Sequence, residues 1–233
     1  EIKNPLTPIQ LNTQRLRKKY HEDSDEFDKM FEESIDIISQ EVEGMKELLN
    51  EFVRFSRMPA PDPKPTSLHK IIDDVYMLYS NQDPDIKIEK SYDPDLHLVN
   101  IDAEHFRRLF INLFENAIDA LNGDLGEKRK ISIATQLAPA IQKLRIQFSD
   151  NGTGIPSSDR DKLFRPHFTT KKRGAGLGLA IVNRIVVDHN GTITAHENKP
   201  RGTVFEIELP YPPVSLKPDS FSKTQSPKTS SPP

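Results

Sequence analysis

The segment SDNGTGIP, residues 149–156, follows an alternating apolar stretch at residues 144–148 that is typical of a half-buried strand. It places Asp150 at the end of that strand, with Gly152 and Gly154 in the following loop. A carboxylate there can accept a hydrogen bond from an exocyclic amine such as that of adenine, and glycines let the backbone approach a flat ligand. The same short pattern also occurs in ordinary turns, so this segment alone leaves both interpretations open.

Downstream, residues 174–182 read GAGLGLAIV and lead into an apolar helix predicted over residues 177–189. Glycines at the start of a helix expose backbone N–H groups, which bind phosphate with help from the helix dipole. The spacing matches neither a P-loop nor a dinucleotide-binding fingerprint. The candidate phosphate-binding residues are Gly174, Gly176 and Gly178, with Thr169, Thr170 and Lys171 directly upstream as flexible donors. A mobile, solvated basic loop is a compatible alternative interpretation.

Upstream, residues 112–120 read NLFENAIDA and lie within a helix predicted over residues 103–121. Asn112 and Asn116 are four positions apart and therefore share one face of that helix. Asparagine oxygens can complete a Mg²⁺ shell in which phosphate oxygens and water supply the other ligands. A surface or capping pair would show the same spacing, so this pair alone also leaves both interpretations open.

The first 57 residues carry the apolar seam of a helical hairpin. Apolar residues recur at alternating steps of four and three over residues 2–20, and the pattern resumes over residues 27–55 after a polar run. One hairpin cannot fully cover such a stripe, whereas two hairpins together form a four-helix bundle. We therefore predict that residues 1–57 form a homodimerisation element. The alternative is an amphipathic hairpin that packs on its own globular domain.

Alternating prolines over residues 58–67 predict an extended linker, and the domain that follows spans residues 68–211. In that domain we predict strands over residues 86–92, 131–137, 144–148 and 204–209, and helices over residues 68–80, 103–121 and 177–189. This alternation lacks strict βαβ regularity, which favours an α+β fold with a helix layer on a mixed sheet. The tail at residues 212–233 is rich in Pro, Ser, Thr and Lys, and we expect it to be disordered.

Composition narrows the choice of partners. The net charge is −3 over 233 residues, so no overall basic field points to nucleic acid. No cysteine is present, which excludes disulfides, thiolate zinc sites and cysteine nucleophiles. Every apolar run is shorter than the ~20 residues needed to cross a bilayer, so we expect no membrane contact in this segment. The first residue is Glu1 rather than Met, and we expect the chain to be an excised part of a longer protein.

Four blocks follow one another along the chain: the asparagine block, DNGTGIP, LFRPHFTTKKR and GAGLGL. In this order they resemble the catalytic ATP-binding domain of histidine kinases, a fold shared with Hsp90 and gyrase B. The resemblance implies that ATP or ADP binds with Mg²⁺, and that Asp150 contacts adenine beside Gly152 and Gly154. It implies that Asn112 and Asn116 hold Mg²⁺ and the phosphates. It further implies a lid over residues 164–178 and a supporting threonine on the last strands. The nucleotide-binding residues there would be Phe168, Thr169, Thr170, Lys171, Gly174, Gly176, Leu177, Gly178 and Thr203.

The first residues, EIKNPLTPIQLNTQRLRKKY, resemble the phospho-acceptor helix of sensor histidine kinases, and the stretch FVRFSRMPAPDPKPT is similar to the nitrogen-regulation members of that family. The family motif reads H-E-x-x-N/T-P, and this chain begins at its glutamate. The resemblance implies transfer of the ATP γ-phosphoryl group to a histidine just before Glu1 and then to a response-regulator aspartate. Glu1 would orient that histidine and take up its proton, and Asn4 would orient a water for phosphatase activity. The segment would be cytoplasmic, in a parent protein anchored in the inner membrane.

Two other functions compete with this one. A non-catalytic nucleotide-binding dimerisation module would bind ATP and dimerise without transferring phosphate. An ATPase of the gyrase or Hsp90 kind should carry a glutamate four residues before the second asparagine to activate water, and Asn112 occupies that place. We therefore favour the kinase core over both alternatives.

Overall fold

The computed structural model describes residues 3–20, 25–56, 58–80, 83, 85–122, 128–170 and 176–211. Several predicted features lie outside these described residues: Glu1, Lys171, Gly174 and the tail at residues 212–233. Among the helices in the described ranges, none combines the length and apolar character needed to cross a bilayer.

The amino-terminal hairpin consists of two long helices, α1 (Lys3–Lys19) and α2 (Asp25–Ser56), which pack against each other. The side chains buried in the hairpin are few and include small and polar ones: Pro5, Asn12, Met30 and Ser34. A larger set of apolar side chains stays exposed on the single chain: Leu6, Leu11, Phe31, Ile35, Val42, Leu49 and Phe52. The predicted stripe is therefore helical, and the described part of this chain leaves much of it uncovered.

The second domain contains seven strands in the described ranges. They are β1 (Lys64–Thr66), β2 (Ile86–Ser91), β3 (Val99–Ile101), β4 (Arg129–Ala138), β5 (Lys143–Asp150), β6 (Thr192–Glu197) and β7 (Thr203–Pro210). Five of them form one sheet in the order β2–β4–β5–β7–β6, in which β2 and β4 run parallel and the other neighbours run antiparallel. β1 and β3 form a separate antiparallel pair. The sheet is therefore mixed, as predicted.

Three helices pack on this sheet: α3 (Leu68–Tyr79), α4 (Ala103–Leu121) and α5 (Gly178–Asp188). Alternate residues of the strands are buried beneath them, including Ile131, Ile146 and Ile207. Two short 3-10 helices, Pro139–Ile141 and Ser157–Lys162, complete the described elements. The predicted α+β architecture is confirmed.

Helix α4 buries one apolar face in the core of the domain. The apolar residues of its inner face recur at steps of three and four, and they are buried: Phe106, Leu109, Phe110, Leu113, Phe114, Ala117 and Leu121. The ring of Phe114 meets that of Phe148 on β5 edge to face, with centroids 5.1 Å apart. Burying each such Leu or Phe contributes about 1.5–3 kcal/mol. This packing fixes the helix on the sheet and leaves its other side to form a site.

The structure contains three strands that the sequence patterns did not predict, namely β1, β3 and β6. β6 lies at the sheet edge and reads TITAHE, which has few apolar residues to bury. β1 lies within the predicted linker, where Pro65 is tolerated because the strand pairs only with β3. Met58, at the start of the same stretch, is 7% exposed and belongs to the core of the second domain. Both ends of the proline-rich stretch are thus attached to that domain.

Two neighbouring histidines are buried at one end of the domain, and they differ in their hydrogen bonding. His189 accepts a bond from the Asp102 amide at 3.0 Å, and its Nδ1 lies 2.7 Å from the Ile185 carbonyl. Among the described residues, neither ring nitrogen of His105 has a hydrogen-bond partner, although this side chain is 5% exposed. An unsatisfied buried polar group costs about 1–3 kcal/mol.

We predict that His105→Leu raises the free energy of unfolding by about 1 kcal/mol, because leucine fills a similar volume without an unsatisfied polar atom. His189→Leu is the matched control and should lower it by about 2 kcal/mol, because it leaves the Asp102 amide without its acceptor and removes the side-chain bond to the Ile185 carbonyl, which keeps only the backbone N–H of residue 189. Urea denaturation of both variants measures the two changes. Equal destabilisation by the two substitutions would contradict the difference seen between the histidines.

Candidate functional site

One cavity of about 360 Å³ lies where the end of β5, the outer side of α4 and the start of α5 meet. The predicted site residues that line it are Asn112, Asn116, Asp150, Gly154, Phe168, Thr169, Thr170, Gly176, Leu177, Gly178 and Thr203. Gly152 lies next to the cavity wall, under α4, while Asn4 is on α1 with its side chain exposed. Five separate segments of the sequence thus line a single cavity.

Asp150 forms the buried end of this cavity. The carboxylate is 3% exposed, and its Oδ1 accepts hydrogen bonds from the backbone N–H groups of Gly152 at 2.9 Å and Thr203 at 3.3 Å. Burial raises the pKa of this carboxyl, although the two backbone donors act in the opposite direction. Because both bonds use Oδ1, the second oxygen is suited to accept a hydrogen bond from a ligand.

The position of Asp150 is fixed from both sides of the sheet. β5 pairs with β4 and β7, so Asp150 lies opposite Ile131 on one neighbour and opposite Thr203 on the other. The Asn198 side chain donates to the Asp150 carbonyl at 2.7 Å. Below it, a Cβ on Gly152 would lie 2.6 Å from the carbonyl oxygen of Ala120, so only glycine allows this approach to α4. The carboxylate is therefore preorganised rather than mobile.

The side of α4 that faces the cavity presents two amide groups. The Nδ2 of Asn112 donates to the Arg108 carbonyl at 2.8 Å, which leaves its Oδ1 as the acceptor. A Cβ at Gly178 would lie 2.9 Å from that oxygen and 3.8 Å from the Nδ2 of Asn116. The first residue of α5 must therefore be small for the two helices to meet here. An amide oxygen can bind a cation, and the start of a helix can bind phosphate. The two side by side suit a cation that is itself bound to phosphate.

The start of α5 is shaped by a turn that needs glycine. Gly176 has a φ of +63°, and a Cβ there would lie 2.7 Å from the His167 carbonyl carbon. Its carbonyl accepts from the His167 N–H at 3.0 Å, while the side chain of Leu177 is buried. The free N–H groups of the first turn of α5 therefore border the cavity opposite Asn112 and attract anionic groups.

Several lining residues were missed by sequence reasoning. The apolar ones are Ala120, Ile155, Leu163, Leu179 and Phe205, which provide surfaces for a flat ring. Phe205 is two positions from Thr203 on the same strand, so the strand period could have identified it.

The acidic lining residues Glu115 and Asp119 were also missed. The Tyr79 hydroxyl from α3 bonds to Glu115, and burial together with this carboxylate raises the pKa of Tyr79 to about 12. No sequence pattern indicates a contact between α3 and α4.

A metal at this site would need oxygens from a ligand. The described ranges contain no group of three or more His, Cys, Asp or Glu side chains arranged to hold a metal ion. The Oδ1 of Asn112 can supply one ligand, and phosphate and water oxygens would supply the others. This donor set fits Mg²⁺ bound together with an anionic ligand.

We predict that Asp150→Asn stabilises the ligand-free chain at neutral pH, because the amide oxygen can keep both backbone bonds without a desolvated charge. Since the pKa of Asp150 is raised in the fold, the folded state binds this proton more tightly than the unfolded chain. The carboxylate therefore destabilises the fold above the folded pKa, and that cost fades as pH falls through it. Urea denaturation from about pH 7 down to about pH 4, near the ordinary pKa of aspartate, should show the stability advantage of the variant shrinking.

The matched control for this prediction is Asp95→Asn, which makes the same chemical change at an exposed position. It should leave stability nearly unchanged across the same pH range. A variant Asp150→Asn that is less stable than the parent chain at neutral pH would mean that the charge itself holds the loop.

Two protein families match this chain. Residues 101–213 match the histidine kinase-, DNA gyrase B- and HSP90-like ATPase family, and residues 1–61 match the His Kinase A (phospho-acceptor) domain. The nitrogen regulation protein NtrY of Azorhizobium caulinodans is 31% identical over 200 residues, which are 84% of this chain and 26% of that protein. The chain thus spans about a quarter of the length of this relative.

Solved structures show the same similarity. The catalytic domain of the histidine kinase ThkA is 33% identical, with a TM-score of 0.57 over 64% of this chain and 97% of that chain. ThkA in complex with the response regulator protein TrrA is 30% identical, with a TM-score of 0.66 over 91% of this chain and 59% of that chain.

Proposed function

This chain belongs to the sensor histidine kinases of two-component systems, and from that premise we propose that it is the kinase core of a longer sensor protein. It binds Mg-ATP and transfers the γ-phosphoryl group to a histidine just before Glu1, from which the group passes to an aspartate of a response regulator. The observation that carries this proposal is the convergence of Asp150, the two asparagines of α4 and the start of α5 on one cavity.

At the buried end of the cavity, the adenine ring lies between the apolar side chains and contacts Asp150. The exocyclic amine donates to the free carboxylate oxygen, while Thr203 and Gly152 hold the other oxygen through their backbone N–H groups. Gly154 and Ile155 border the ring plane. A desolvated carboxylate gains most from a donor that arrives with the ligand, since water is excluded there.

At the open end, the phosphates lie between α4 and the start of α5. The Oδ1 of Asn112 and the amide of Asn116 would hold Mg²⁺ and the phosphates, and a bound Mg²⁺ would neutralise charge that develops on the phosphoryl group. The backbone N–H of Gly178 and the hydroxyls of Thr169 and Thr170 contact phosphate oxygens. Phosphoryl transfer needs positioning and charge neutralisation more than covalent help, which suits these residues. The lid over residues 164–178 also includes Phe168, Lys171, Gly174, Gly176 and Leu177.

The hairpin supplies the acceptor end of the reaction. We place Glu1 beside the acceptor, where it orients the imidazole and takes up its proton. Asn4, exposed on α1, orients a water that hydrolyses the phospho-aspartate. The uncovered apolar stripe of α1 and α2 is the homodimer contact. The complex of ThkA with TrrA supports a response-regulator receiver domain as the second partner, and we further propose that the parent protein is anchored in a membrane.

We predict that the chain binds Mg-ATP with roughly 100-fold higher affinity than Mg-ITP. Inosine carries an oxygen where adenosine carries the amine that donates a hydrogen bond to Asp150. Asp150→Asn should lower ATP affinity by roughly 100-fold and remove this preference, since an amide can donate to the inosine oxygen. Isothermal titration of both nucleotides into both proteins measures the two ratios.

Asp95→Asn is again the control and should keep the affinity and the preference of the parent chain. Equal ATP affinity of the parent chain and Asp150→Asn would remove Asp150 from the adenine site. If Asp150→Asn weakens the binding of ATP and ITP equally, so that the ratio of the two affinities is unchanged, Asp150 shapes the pocket and does not contact the adenine amine.

A second prediction concerns the transfer itself. The chain extended at its amino terminus by the preceding residues of the full-length protein should form an acid-labile, base-stable phosphohistidine with Mg-ATP. Asn116→Ala in the same extended chain should abolish this label, because it removes a ligand at the phosphate end. Dimerisation and ATP binding without any phosphohistidine would favour a non-catalytic nucleotide-binding module.

A further inference from the structure

The proline-rich linker is hydrogen-bonded to the start of α4. The backbone N–H of Asp62 donates to Oδ2 of Asp102 at 2.9 Å, across 40 positions of sequence. We propose that Asp102 is a positioning residue that ties the linker to the helix carrying Asn112 and Asn116, so that the two domains are held in the orientation that phosphoryl transfer needs. This inference rests on the proposed kinase function and adds a residue outside the nucleotide cavity.

The two oxygens of Asp102 have separate contacts. Oδ1 accepts from the backbone N–H groups of Glu104 at 3.0 Å and His105 at 3.1 Å, which caps the amino terminus of α4. Oδ2 accepts from the linker. Burial raises the pKa of Asp102, but the backbone donors together with the charge interaction with His105 outweigh burial and hold the pKa below its usual value. The side chain is therefore a charged acceptor that serves helix and linker at once.

The same residue also contacts the end of α5. The Asp102 N–H donates to Nε2 of His189, the residue that follows α5, at 3.0 Å. α4 reaches Asn112 about 14 Å further along its axis, at 1.5 Å per residue, and α5 starts at Gly178 on the cavity. Helices of this length transmit a displacement with little bending. A shift of the linker at Asp62 is therefore applied to the ends of both helices that form the phosphate side of the site.

The linker itself is suited to carry such a shift. Met58 is buried in the core of the second domain, and β1 pairs with β3 directly after the hydrogen bond to Asp102. Between these anchors, Pro59, Pro61 and Pro63 restrict the backbone to extended conformations. The chain that leaves the hairpin thus meets the second domain through a stiff segment. Asp62 supplies the hydrogen bond in the middle of that segment.

Two substitutions remove this hydrogen bond by different routes. Asp62→Pro deletes the N–H donor, and the backbone before Pro63 is already confined to conformations that proline adopts. Asp102→Asn keeps an oxygen that can cap α4 but presents an NH₂ group to the linker, and asparagine caps helices as well as aspartate does. Asp62→Ala is the matched control, since it keeps the donor and loses only the exposed ion pair with Lys64.

The experiment uses the full-length protein, with nucleotide affinity and the rate of phosphohistidine formation measured separately. Asp62→Pro and Asp102→Asn should each lower the transfer rate about tenfold while the dissociation constant for Mg-ATP changes less than about twofold, because positioning is lost and binding is not. Asp62→Ala should match the parent protein in both. In Asp102→Asn, the amide hydrogen of residue 62 should also exchange faster with solvent.

Transfer rates in both variants equal to those of the parent protein and of Asp62→Ala would overturn the inference. A parallel loss of ATP affinity and transfer rate would also overturn it, since it would mean that Asp102 only stabilises the domain. Absence of ATP binding or transfer in the unmodified protein would instead count against the proposed function. The exchange rate at residue 62 would still report whether the linker bond exists.

Discussion

A carboxylate kept out of water at the end of a central strand is the constraint on which the site depends. Asp150 lies on β5, which is hydrogen-bonded to a neighbour on each side, so its position follows from the register of three strands. The backbone N–H groups of Gly152 and Thr203 both donate to the Oδ1 of this carboxylate. The second oxygen of a buried carboxylate is costly to leave without a donor. In the proposed function the adenine amine donates to this second oxygen, and nucleotide binding would then stabilise the fold around Asp150.

Helix α4 connects the core of the domain to the cavity. Its apolar face packs on the sheet, while its other side presents Asn112 and Asn116 to the cavity. The Ala120 carbonyl near its end accepts from the Thr153 N–H at 3.0 Å and so holds the loop after Asp150. Because one rigid helix packs on the sheet, presents both asparagines and holds this loop, small changes in core packing should move the groups proposed to contact the nucleotide together. The start of the helix, capped by Asp102, is the point at which the linker joins the same unit.

Sequence patterns predicted those parts of the fold that have strong periodicity. The long hairpin helices, α4, α5 and the central strands follow from apolar spacing, and the family follows from four ordered blocks. The patterns failed for β3 and β6, because a three-residue strand and a polar edge strand bury too little to leave a signal. The predicted site residues in the described ranges line one cavity, apart from Gly152 beside it and Asn4 on the hairpin. Their individual roles stay predictions.

Sequence patterns did not predict side-chain contacts between separate helices or between the linker and a helix. Nothing in the local pattern at Glu115 indicates that the Tyr79 hydroxyl from α3 binds it, and nothing at Asp102 indicates the bond from Asp62. Both depend on how separate helices and the linker meet after folding. Such contacts follow no spacing rule along the chain, because they depend on which surfaces meet in the folded domain.

The most direct measurement is a crystal structure of this chain with Mg²⁺ and a non-hydrolysable ATP analogue. The adenine amine should lie within hydrogen-bond distance of Oδ2 of Asp150, with the metal bound to Oδ1 of Asn112 and the phosphates at the start of α5. A nucleotide bound with its base away from Asp150, or outside this cavity, would contradict the proposed function.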